Sequence, residues 1–271
     1  MKTTKVVGLV MATTILGTSG AMLVNAEEEK SATNVTTTAK VEFTTNDSGE
    51  TPPTDPGKPG EEVEPPEDGG EHGGAGALRI DWASNFDFGS SEIKNSGQDL
   101  KLPVLRKGDQ KLAHFVQVSD LRGEDSPNWT LSVKASSLNK VAKEEGTRTD
   151  SAKITGAHID FTSAPIFATG STNQEVPAEK PEWQAQSINL DDADGQTLIT
   201  ASGDGARGTW SMGMTSKVDG EVLESDSDIN LVIPQSEVGK IRKGSYKADL
   251  NWNLSGELAA TKTGFMAPTT K

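Results

Sequence analysis

Over residues 246–254 the chain alternates without interruption. Tyr246, Ala248, Leu250, Trp252 and Leu254 fall on one side of an extended backbone, and Lys247, Asp249, Asn251 and Asn253 on the other. A period of two marks a strand with one buried face, because successive side chains leave opposite sides of the pleat. Residues 129–135 repeat the pattern, with Trp129, Leu131, Val133 and Ala135 sharing a face. Residues 78–82, 112–118 and 229–233 read the same way, the last stopped by Pro234. One short helix is expected, over residues 137–145 before Gly146. Many short strands joined by loops imply an all-β fold, an antiparallel β-sandwich or irregular barrel with long loops.

That fold cannot use the whole chain. Only 33% of the 271 residues are hydrophobic, while there are 28 Gly and 13 Pro. Residues 1–26 begin with Lys2 and Lys5, continue through an apolar run and end Val24-Asn25-Ala26, the pattern of a secretory signal peptide cut after Ala26. Threonines and serines dilute the run below what a bilayer span needs, so no membrane span is expected after cleavage. Residues 27–77 hold 13 acids against 3 bases and are rich in Pro and Gly, including Thr51-Pro52-Pro53-Thr54. They read as a disordered acidic spacer, with a short strand at residues 41–44 as its one exception. Residues 78–271 hold all five tryptophans and form the expected β domain.

Charge and composition exclude several functions. A net charge of −14 repels nucleic acid. The absence of cysteine removes disulfides, thiol nucleophiles and Cys-ligated metals, and in an exported protein points to a bacterium without a sealed periplasm. The three histidines have no nucleophile pattern beside them. Residues 91–94 and 262–264 imitate two elements of penicillin-binding enzymes, but the middle element is missing. Residues 191–195 cluster carboxylates at a turn, yet the EF-hand register fails because Leu190 stands at its first position. No catalytic residue, metal site or cofactor is therefore expected. The chain closes without a sortase-type sorting signal, so surface retention is expected to come from the folded domain.

Two short elements remain, Trp129-Thr130-Leu131 and Trp252-Asn253-Leu254, the second within Tyr-x-x-x-Leu-x-Trp-x-Leu. With Asn85-Phe86-Asp87-Phe88-Gly89 and Leu231-Val232-Ile233-Pro234, they resemble the WxL domain of Gram-positive surface proteins. A departure lies after the second motif, where the family often has a proline and this chain runs on to Pro268. The resemblance implies a non-catalytic protein at the surface of a Gram-positive bacterium, attached non-covalently to peptidoglycan or another wall polymer. It also implies, as an alternative, a subunit that binds other surface proteins or host matrix proteins. The residues themselves suggest mainly structural motifs: in each, Trp and Leu are two apart and share a face, so Trp129, Leu131, Tyr246, Leu250, Trp252 and Leu254 suit a core. The alternative reading of the motif residues is a wall-binding platform on which sugar rings stack, and Trp82, Trp183 and Trp210 are further candidate exposed aromatics, the last two in loop-like surroundings.

Overall fold

Strands with one apolar face must cover one another, and here four small antiparallel sheets do so in a ring around a common core. The computed structural model describes residues 37–45, 49–58, 60–65, 69–93, 97–106, 112–123, 125, 127–141, 152–163, 166–169, 179–216 and 225–256. The expected signal peptide and the chain end lie outside them. Residues from Thr44 onward form one unit. The described residues before it carry no strand, so the one expected over 41–44 is not formed, and Val41 and Phe43 are exposed.

The first sheet orders β1 (Gly70–Glu71), β2 (Leu78–Ser84), β4 (Phe115–Asp120), β13 (Gly208–Gly213) and β9 (Ile166–Ala168) side by side. The second runs β10 (Glu182–Trp183), β12 (Asp192–Ser202), β5 (Asn128–Ala135), β16 (Leu250–Ser255). The third runs β11 (Ser187–Asn189), β8 (His158–Asp160), β14 (Ser225–Ile233), β3 (Leu100–Leu105). A fourth joins β15 (Tyr246–Lys247), β6 (Leu138–Lys140) and β7 (Lys153–Ile154). Trp129, Leu131, Val133, Leu198, Ile199, Ile188, Ile229 and Met212 fill the core from these sheets, each fully or almost fully buried. Each such side chain contributes about 1.5–3 kcal/mol. One ion pair lies inside: Arg106 Nη2 donates to Asp226 Oδ2 at 2.5 Å, with both side chains buried. Burial opposes ionisation of Asp226, yet the Arg106 guanidinium and the Asp228 N–H hold its carboxyl below the usual range.

Three expectations change. The helix over residues 137–145 is absent in its described part: Leu138–Lys140 is β6, because β7 and β15 pair with it on either side and tertiary pairing overrides local preference. The described helix is instead the single turn α1 (Gln235–Val238), begun after Pro234. The run 246–254 is not one strand. It breaks at residues 248–249, where Ser136 N donates to Asp249 O and Asp249 N donates to Ser136 Oγ, both at 2.9 Å, and each half joins a different sheet.

The stretch expected as an unordered spacer to residue 77 is ordered over much of 51–77. Thr54 bridges Glu62, and Val63 N donates to Pro53 O at 2.9 Å, closing a small hairpin. Farther on, β1 pairs with β2. Composition argues against a core of its own, and indeed this stretch forms none: it is held by polar side chains on the outer face of the first sheet.

Candidate functional site

The two Trp-x-Leu elements meet on adjacent strands. In the β5–β16 pair, Leu254 lies opposite Leu131, Trp252 opposite Val133 and Leu250 opposite Ala135. Trp129 and Leu131 are fully buried, and Trp129 Nε1 donates to Ala206 O at 2.9 Å. That bond satisfies the one polar atom of a core indole. The second element differs. Residues 250–255 alternate half-buried and exposed, so Leu250, Trp252 and Leu254 pack on the core with part of each side chain uncovered. Tyr246 is likewise half-buried; its hydroxyl accepts from Arg242 N at 2.9 Å and donates to Arg242 O at 3.2 Å, which fixes the loop before it.

Tyr246, Leu250 and Trp252, but not Leu254, line a groove of about 1410 Å³. Its lining also includes the two phenylalanines Phe86 and Phe88, and the apolar side chains of Leu102 and Leu231. Phe86 and Phe88 lie parallel, 6.4 Å apart at 6°, and Phe86 stacks on His114 at 5.5 Å. Gly89 takes φ 63°, in the left-handed region that glycine tolerates, against Leu105. Burial, reinforced by the Arg106 charge, lowers the His114 pKa to about 4, so the ring is neutral, and its Nδ1 has no partner among the described residues. The lining carries both signs, with Arg242, Lys243 and Lys247 as well as Glu71, Asp87 and Glu92. Such a surface can stack on and hydrogen-bond a polar ligand. Ser91 Oγ, in the Ser-x-x-Lys imitation, donates to Glu92 O, and Lys94 lies outside the described residues. No group of His, Asp or Glu suited to a metal occurs among the described residues. At the carboxylate turn, Asp191 Oδ1 is taken by Ser137 Oγ at 2.6 Å and by Lys153 Nζ at 3.0 Å.

A family model described as WxL domain, surface cell wall-binding, matches residues 30–257. The chain belongs to the WxL family. No curated protein and no solved structure gives a match. The family is one of surface wall binding rather than of enzymes. No helix among the described residues is long and apolar enough to cross a membrane.

Within this WxL domain two of the three tryptophans expected to be exposed are buried, and the third is half-buried. Trp210 is 3% exposed: it lies inside β13 between β4 and β9, and its Nε1 donates to Arg207 O at 2.9 Å. The loop-like residues before it are a tight turn that ends at Gly208, φ 83°. Trp82 is also 3% exposed. A bulge between Ile80 and Trp82 turns the indole to the outer face, where Gly70 and His72 cover it, the His72 ring 4.9 Å away. Trp183 sits on the edge strand β10, half-buried against Phe161 at 5.2 Å. The groove gathers the half-buried aromatics Phe86, Phe88, Tyr246 and Trp252, and the two phenylalanines belong to the Asn85-Phe86-Asp87-Phe88-Gly89 element that carries part of the family resemblance.

Proposed function

We propose that this WxL domain binds the glycan of peptidoglycan in the groove and so holds the protein, without covalent linkage or catalysis, at the surface of a Gram-positive bacterium. The observation that carries the reading is the set of half-buried aromatics Phe86, Phe88, Tyr246 and Trp252 lining one concave surface in a wall-binding family. Aromatic faces stack on the apolar faces of sugar rings, and neighbouring polar groups orient them. Export by the residue 1–26 signal peptide fits this location. Co-sedimentation of the full mature chain with sacculi stripped of protein tests the reading. Retention is expected, with a fall of at least tenfold for Trp252→Ala and for Phe86→Ala/Phe88→Ala at unchanged circular dichroism. Retention that ignores both variants, or fails on stripped sacculi, overturns it.

A second reading has its own observation. Among the described residues β16 pairs only with β5, so its far edge offers main-chain groups to another strand. Binding of a surface or host matrix protein would use that edge, and retention only on protein-bearing envelopes is its expected result.

A further inference from the structure

The outer face of the first sheet, opposite Val116 and Val118, carries Arg79, Asp81, Gln117, Ser119 and Ser211, all buried. Polar side chains on a sheet face are buried only where something satisfies them. Asp81 organises three of these groups. Arg79 Nε donates to its Oδ1 at 2.8 Å, and Ser119 Oγ and Gln117 Nε2 donate to its Oδ2 at 2.6 and 3.3 Å. Their remaining capacity is turned outward onto residues 51–54. Gln117 Oε1 accepts from Thr54 N at 2.9 Å, Gln117 Nε2 donates to Pro52 O at 3.0 Å, and Ser211 Oγ donates to Thr54 O at 3.1 Å. Arg79 Nη2 donates to Thr51 Oγ1.

Three of these four bonds read the main chain, as a neighbouring strand would, while Pro53, Thr54 and Pro56 are buried. The hairpin around this segment makes its own bonds, Asp55 N to Glu61 O at 3.1 Å and Lys58 N to Asp55 O at 3.0 Å, so its shape is built locally. Prolines restrict its unbound form and lower the entropy lost on docking. A receptor ordered by Asp81 and a ligand ordered by itself meet through a short interface. We propose that this face is a peptide-docking site for an extended Thr-Pro-Pro-Thr segment, and that residues 51–54 of this chain fill it as a detachable intramolecular ligand. Undocking lengthens the reach of the preceding chain by roughly 45 Å, at about 3.3 Å per residue for residues 51–64. The site does not depend on what the groove binds.

The test uses the full mature chain with a protease recognition sequence inserted after the exposed Glu64. After cleavage, the amino-terminal fragment is expected to co-elute with the body in size-exclusion chromatography and to be displaced by excess synthetic peptide 51–64. Thr54→Pro, which removes the donated N–H and leaves the body's sequence intact, is expected to weaken retention at least tenfold, and Gln117→Ala to do the same. The proposal is overturned if the wild-type fragment leaves on cleavage, if Thr54→Pro is retained equally, or if displacement unfolds the body by circular dichroism.

Discussion

Leu131 and Leu254 stand directly opposite each other on β5 and β16, so the leucines of the two WxL motifs form one cross-strand pair. Because the strands are antiparallel, the tryptophans diverge from that pair. Trp129 runs past the end of β16 to sit beside Ala201 of β12 in the core, and Trp252 lies toward the groove. One motif anchors the sheet, and the other brings an aromatic to the surface.

Leu131→Ala is expected to cost about 2–5 kcal/mol, as for a large-to-small change at a fully buried site, and Leu254→Ala less because it is half-buried. In a double-mutant cycle by urea denaturation the pair is expected to couple by at least about 0.5 kcal/mol. Strict additivity would show that the motifs are not joined there.

The same contrast separates the tryptophans. Trp129→Phe removes the donor to Ala206 O in a dry core and is expected to cost about 1–3 kcal/mol. Trp252→Phe, at a half-buried edge, is expected to cost under about 1 kcal/mol by the same measurement. Equal losses would contradict the division of labour.

Protonation of His114 sets a pH window. Its folded pKa, about 4, lies below the ordinary 6.5, so its contribution is fully present above pH 6.5 and is lost as the pH falls toward 4. Over that interval the unfolded chain takes up a proton and the folded one does not, which amounts to about 3 kcal/mol at most. His114→Phe, which keeps a ring stacked on Phe86, is expected to flatten the stability profile between pH 6.5 and 4. An unchanged slope would place the dependence elsewhere.

Arg106→Leu is expected to destabilise by about 3–5 kcal/mol, since it strips the buried Asp226 of its cation. Asp226→Asn in the Arg106→Leu background should recover part of the loss in thermal melts.

Gly73 and Gly70 are tight points in the cover over the first sheet. A Cβ at Gly73 would stand 1.8 Å from Ile80 O, and one at Gly70 would stand 2.4 Å from both Ala83 O and the Trp82 ring. Gly70→Ala and Gly73→Ala are each expected to cost about 1–3 kcal/mol by overpacking. Gly70→Ala should also change the Trp82 signal in near-ultraviolet circular dichroism, whereas a silent substitution would mean that the cover is not closed.

The strands were legible because alternation is a local property: β2, β5, β14 and β16 lie within or across the runs where the side chains alternate. What covers a strand is not local. Trp82 read as exposed because Gly70 and His72, which bury it, belong to a stretch whose composition suggested no order at all. Trp210 read as a loop residue because the turn before it hides that β4 and β9 flank it. The same limit applies to residues 138–140, whose strand partners lie on either side of distant sequence. Of the candidate site, Tyr246, Leu250 and Trp252 were visible through their motif. Phe86 and Phe88 were visible in the Asn85–Gly89 element, but that they share a groove with Tyr246 and Trp252 depends on contacts far apart in sequence.

The pairing of β5 with β16 also fixes when the molecule can mature. The central strand of the second sheet is made early and its edge partner is the last described strand, so the β5 face waits for most of the chain before it is complete. Pairings this distant in sequence are slow to form, because the loop must close before any contact rewards it. Until β16 has been made, the second sheet lacks this edge strand and the core face of β5 stays open, so closure of that sheet reports that nearly all of the described residues are present.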